Sequence, residues 1–135
     1  MSATLHLTTF QIGTEPRTGE GLRIAVTRRP PRGVPKADWL RICRFDVWLP
    51  AVAPSAELLA RFAPQQIDNP REWKRFLNAY QKELLASADT RQTVALLATL
   101  ARHTPISIGC FCADESHCHR ARLYEVIVAM ASAED

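Results

Sequence analysis

A chain of 135 residues with 47% apolar and 23% charged residues can bury a real core, and its balance is that of a globular protein, not a disordered one. No apolar run approaches the roughly 20 residues a membrane-spanning helix needs, and the first residues carry no basic stretch followed by an apolar one. The expectation is therefore a single cytoplasmic domain over residues 1–135 with its four cysteines reduced and no membrane partner. A formal charge of +3 does not by itself point to nucleic acid. The basic residues crowd the first third, however, where a basic face could meet an anion.

Residues 4–10 alternate Leu5 and Leu7 with polar neighbours and predict a first strand. After a Gly-rich loop, Leu22–Arg28 alternates again and predicts a second. It runs into Arg29-Pro-Pro-Arg-Gly-Val-Pro35, whose prolines exclude helix and sheet interior and stiffen a loop that carries arginines. Asp46–Pro54 reads as a short buried strand or a connector. A short helix follows from Pro54 or Ser55 to about Phe62. Asn69-Pro-Arg-Glu72 is a helix start, with Asn69 as cap and Pro70 in the first turn. Trp73, Phe76, Leu77, Tyr80 and Leu84 then fall on one face, which predicts Trp73 in the core. Asp89-Thr-Arg-Gln92 suggests the next cap, and Pro105 ends that helix. Ile106–Cys110 predicts a strand, and a last helix is expected from about His117 to Ala131, with Leu123, Ile127 and Met130 inward. Of the other tryptophans, Trp48 reads as core or pocket lining, and Trp39 as exposed. Strands at both ends of a helical middle predict an α/β fold: a small Rossmann-like layered sheet with flanking helices.

The chemistry is concentrated in residues 110–120, Cys-Phe-Cys-Ala-Asp-Glu-Ser-His-Cys-His-Arg, which hold three of the four cysteines and two of the four histidines. A strand, a short loop and a helix start is where α/β proteins place ligands. Cys118, His119 and Arg120 would share the first helical turn. There a cation and free N–H groups favour a bound anion and a thiolate. Cys118 is then the candidate nucleophile and His119 the proton carrier. Arg28, Arg32 and Arg120 are the candidate anion ligands, with Cys112 at the loop edge, and Asp46 is set to orient His119 or bind a sugar hydroxyl. The plainer reading makes Cys118 a packing residue, His119 a surface group and each arginine a solvated side chain.

Zinc is the competing use of the same cysteines, with His117 or His119 as fourth ligand. Spacing weighs against it, because one residue separates Cys110 from Cys112 and a strand would point their sulphurs in parallel. No cofactor is therefore predicted, and zinc is kept as the alternative. Cys110 continues the apolar strand face and reads as core. Cys43 has no partner motif and reads as packing. A reversible Cys112–Cys118 disulfide is a third use.

Several stretches together resemble the family of unknown function numbered 488, with its YeaO-like branch. They are Gly21–Arg28 with Pro31-Arg-Gly-Val34, Asp46-Val-Trp-Leu through Ala53-Pro-Ser-Ala-Glu-Leu58, Phe76–Tyr80 with Glu83-Leu84, and Cys110-Phe-Cys112 through Cys118-His-Arg120. Thr27-Arg-Arg-Pro30 stands where YeaO-like members carry Asp-Arg-Leu-Trp, so the chain is similar to a distinct subgroup bearing the cysteine signature. The resemblance implies a Rossmann-like α/β fold and marks Arg28, Arg32, Asp46, Cys110, Cys118, His119 and Arg120 as motif positions, but it implies no activity. Two functions remain open: an enzyme or binding protein for an anionic small molecule or a nucleic-acid end, and a metal-stabilised or thiol-sensing interaction module.

Overall fold

The structure, a computed structural model, describes residues 5–133. Four parallel strands form one sheet in the order β1-β4-β2-β3: β1 Leu7–Gln11, β2 Leu22–Ala25, β3 Val47–Trp48 and β4 Ile106–Cys110. In register, Leu7 faces Ile106, Gln11 faces Cys110, and Ile24 lies between Ile108 and Val47. β4 is central and all five of its residues are buried, which explains why Ile106-Ser-Ile-Gly-Cys reads as a continuous run and not as an alternating one. Gly109 is required there, since a Cβ would come within 2.5 Å of the Phe10 ring on the neighbouring strand.

The strands predicted at both ends of the chain are present with shifted limits. β1 extends to Gln11, and Thr4 lies outside the described residues. β2 stops at Ala25. Val26 still donates to the Gly109 carbonyl, but the Thr27 carbonyl is taken by the Trp48 indole and the chain turns out of the sheet. The Asp46–Pro54 stretch divides into the two-residue β3 and a 3-10 turn, Pro50–Val52, that buries Val52 completely.

The four helices are α1 Ala56–Phe62, α2 Pro70–Ala86, α3 Ala88–His103 and α4 His119–Ala133. Ser55 caps α1 and Asn69 caps α2, each side-chain oxygen accepting a free first-turn N–H. The cap of α3 is Ser87 and not a residue of the Asp89 segment: its hydroxyl accepts from Thr90, and Ser87 alone separates α2 from α3. The last helix starts two residues later than predicted. Asp114 accepts the Ser116 N–H and closes a separate turn, Glu115–His117, after which Cys118 is extended.

The sheet has two unlike faces. One packs Leu7, Ile24, Val26, Ile106 and Ile108 against α2, α3 and α4, through Phe76, Tyr80, Leu97, Leu123 and Ile127; Met130 is partly buried there. The other is a smaller cluster of Phe10, Ala25, Cys43 and Phe45, covered by Trp39 and Trp48. Trp39 is thus half-buried and not exposed. It sits on a π-helical turn, Trp39–Cys43, with Phe45 and Trp48 against its ring.

Candidate functional site

β2 and β4 are neighbours in a parallel sheet, so their carboxyl ends open on the same edge. A pocket of about 480 Å³ lies there, within the range of small-molecule sites. Its floor is Cys110, Cys112, Cys118 and His119, and its walls include Arg28, Pro54, Leu59, Trp73, Phe76 and His117.

The sulphurs of Cys110, Cys112 and Cys118 all lie within 4.8 Å of one another. Cys110 and Cys118 are in disulfide contact, while their Cα atoms stand 7.8 Å apart, beyond the roughly 4.4–6.8 Å that bridges ordinarily span. Cys112 is free and half-buried. Cys110 is buried, as its strand face predicts, yet its sulphur belongs to this cluster. The strand ends at Cys110, so Cys112 is released into the loop and the parallel projection expected of the pair does not hold. The disulfide contact of Cys118 is likewise with Cys110 and not with Cys112. Cys43 is buried on the other face of the sheet, and burial raises its thiol pKa.

Arg120 is 4% exposed. Its Nη1 donates to the Cys112 carbonyl at 2.7 Å and to the sulphurs of Cys110 and Cys118 at 3.1 and 3.8 Å. Its Nε has no partner, and among the described residues no carboxylate pairs with it. A guanidinium cannot shed its proton, and a buried charge without a counter-charge is costly. Once the Cys110–Cys118 contact is reduced, the sulphurs are the groups placed to supply that charge.

The His119 ring is fixed at Nε2, 2.7 Å from the Val26 carbonyl. A carbonyl only accepts, so Nε2 carries the proton and Nδ1 presents a lone pair 4.0 Å from the Cys118 sulphur. Burial and the nearby Arg120 push the imidazole pKa down to about 4, against the weaker upward pull of Val26. His119 is therefore neutral near pH 7.

The other expected site residues are distributed unevenly. Arg28 lines the pocket, held by Nε on the Pro54 carbonyl and Nη2 on those of Pro50 and Ala53, which leaves Nη1 without an acceptor among the described residues. Arg32 is exposed on its loop and does not line the pocket. Arg120 lies beneath the sulphurs, outside the pocket lining. Asp46 accepts the backbone N–H of Arg23 at 2.9 Å, and it is the Val26 carbonyl that orients His119. Trp73 packs against the main core beside Phe76, as its helical face predicts, but it is only half-buried: it also lines the pocket and stacks on His117 with ring centroids 3.8 Å apart. Helical spacing alone makes a pocket wall and a core residue look alike. His117, expected only as an alternative metal ligand, lies with its ring on that of Trp73.

The three thiols could hold a soft metal ion. Tetrahedral zinc, with Zn–S bonds near 2.3 Å, needs its sulphurs about 3.8 Å apart, a short adjustment from this cluster. The clustered ligand atoms are those three sulphurs; the His119 Nδ1 lies 4.0 Å from the Cys118 sulphur and is not one of the group. Among the described residues, no helix is long and apolar enough to cross a membrane. Residues 7–131 match the family model described as the active DUF488-N3 subclade, and the chain belongs to that family. No curated protein and no solved structure matches it.

Proposed function

We propose that this member of the active DUF488-N3 subclade is a thiol-dependent enzyme of the reducing cytosol, acting on an anionic small molecule or a nucleic-acid end. The observation that carries the reading is the buried Arg120 guanidinium, whose acceptors are two sulphurs and one carbonyl with no carboxylate. Such a cation is balanced when Cys118 or Cys110 is a thiolate, the reactive form of a cysteine. Cys118 adds a neutral imidazole lone pair at 4.0 Å and a place on the pocket floor. Arg28, held rigidly with one nitrogen free, supplies the anion contact at little ordering cost.

In the step that follows, the Cys118 sulphur forms a bond to an electrophilic centre of the ligand and the bond to the leaving group breaks. Cys118 reacts as the thiolate that the Arg120 field favours, and the departing group takes its proton from water; His119 Nδ1, neutral near pH 7, faces the Cys118 sulphur and orients it. Water resolves the enzyme–ligand bond. The test is iodoacetamide labelling of the reduced protein against pH, with each cysteine read by mass spectrometry. Cys118 should react with a midpoint well below the usual value near 8.5. If all four thiols behave as ordinary or buried cysteines, the nucleophile is lost.

The convergence of three sulphurs within 4.8 Å favours one second reading, a metal-stabilised module. Freshly purified protein retaining one zinc per chain through dialysis, and losing thermal stability to a chelator, would replace the enzyme with that reading.

A further inference from the structure

The pocket's walls point to the kind of ligand it takes. The chain has three tryptophans. Trp39 and Trp48 donate their indole N–H groups to the Val34 and Thr27 carbonyls. Among the described residues Trp73 has no acceptor for its N–H; it lines the pocket, half-buried beside the buried Phe76. On the Trp73 ring lies the His117 imidazole, 15° from parallel at 3.8 Å. His117 is half-buried at the end of the short turn between Cys112 and Cys118, where its backbone N–H donates to the Asp114 carbonyl. A planar, nitrogen-containing ring thus already occupies the indole face, carried by the loop that follows β4.

We infer that Trp73 is the stacking platform for a planar heteroaromatic ring of the ligand and that the His117 imidazole holds that ring's place. The inference rests on the anion reading of the same pocket and deepens it: the ligand class is a heteroaromatic ring joined to one anionic group, of nucleoside monophosphate size. The ring lies on Trp73, the anion meets the free Nη1 of Arg28, and the bond to be broken lies over Cys118. Stacking tolerates different rings, because every such ring has a π-face. Ring identity is therefore read weakly at this wall, and the ring-plus-anion combination is read strongly.

The experiment is isothermal titration calorimetry on the reduced full chain, with adenosine 5′-monophosphate, uridine 5′-monophosphate and ribose 5-phosphate as probes. Both nucleotides should bind at least about tenfold tighter than ribose 5-phosphate. Trp73→Leu should remove that advantage while leaving ribose 5-phosphate binding unchanged. Trp73→Phe, which keeps a ring and the fold, should restore most of it. His117→Ala should tighten nucleotide binding several-fold, because it clears the platform; a loss instead would overturn its place-holding role. Arg28→Lys should weaken all three probes together. Nucleotide affinity indifferent to Trp73→Leu overturns the platform, and the ribose 5-phosphate and Arg28→Lys measurements then decide the anion reading by themselves. No nucleotide binding by a protein whose Cys118 still labels fast at low pH overturns the ligand class and leaves the nucleophile standing.

Discussion

Two arginines in this protein are almost completely buried, and they are held in opposite ways. Arg23, 3% exposed on β2, pairs through Nε with Glu20 at 3.0 Å. It also donates to the carbonyls of Thr14 and Arg44 and lies 4.1 Å over the Phe10 ring. Its charge is matched by a carboxylate and its donors are used on the segments that wrap one edge of the sheet. Arg120, 4% exposed at the start of α4, has an Nε without a partner, two sulphurs and a single carbonyl. A buried cation surrounded by oxygen acceptors and an anion ties a fold together. One facing sulphurs, with a donor unused, keeps its field for whatever charge those sulphurs carry.

The same substitution at both arginines tests this contrast hardest. Arg23→Met should cost about 3–5 kcal/mol in urea unfolding, because it strands the buried Glu20 carboxylate with Arg17 as its remaining cation. Arg120→Met, measured under reducing conditions, should change stability by about 1 kcal/mol or less, because no carboxylate is left behind. An equal cost at the two sites would break the distinction. The same Arg120→Met protein should lose about tenfold in Cys118 labelling rate at pH 7, the equivalent of one unit in thiol pKa. Unchanged labelling would show that the sulphurs do not feel the cation.

Two smaller effects are read from pH. Burial alone would raise the Glu20 pKa, but the Arg17 N–H and the Arg23 guanidinium outweigh it and hold it below its usual 4.5. A carboxylate lowered on folding stabilises the protein above its unfolded pKa, and that stability is lost as pH falls through the folded one. Glu20→Gln should therefore flatten the stability profile below about pH 4.5. His119 is also lowered, from 6.5 to about 4. The unfolded chain binds the proton first, so stability is full above pH 6.5 and declines as pH falls toward 4. His119→Asn should remove the decline in that window alone. A slope that survives belongs to another group.

Much of the fold was legible because it is local. Asn69, Pro70 and Glu72 mark a helix start from three neighbouring residues, and Pro105 marks an end from one. The apolar run Ile106–Cys110 already reads as a strand, and the tertiary structure adds that it is one of the sheet's two inner strands. Ser87 is not singled out by the sequence, because a cap is defined by which hydroxyl reaches a free N–H and Asp89 has an equally good pattern two residues on. In the candidate site, the cysteines, His119 and Arg120 stood out by chemistry in one short segment. Trp73 did not, because a half-buried wall and a core residue share the same helical spacing.

What the sequence by itself determined is the set of elements and the presence of reactive groups at the entry to the last helix. Periodicity, caps and residue chemistry act within a few residues of chain. What only the tertiary structure decided is which groups meet. Sheet order sets β2 beside β4, bringing the Val26 carbonyl to His119 and Arg28 to the pocket of Cys118. It also leaves Arg32 outside that pocket, and Asp46 on the backbone of Arg23. Those encounters depend on strand order and helix packing across gaps of about a hundred residues, and no spacing rule along the chain contains them.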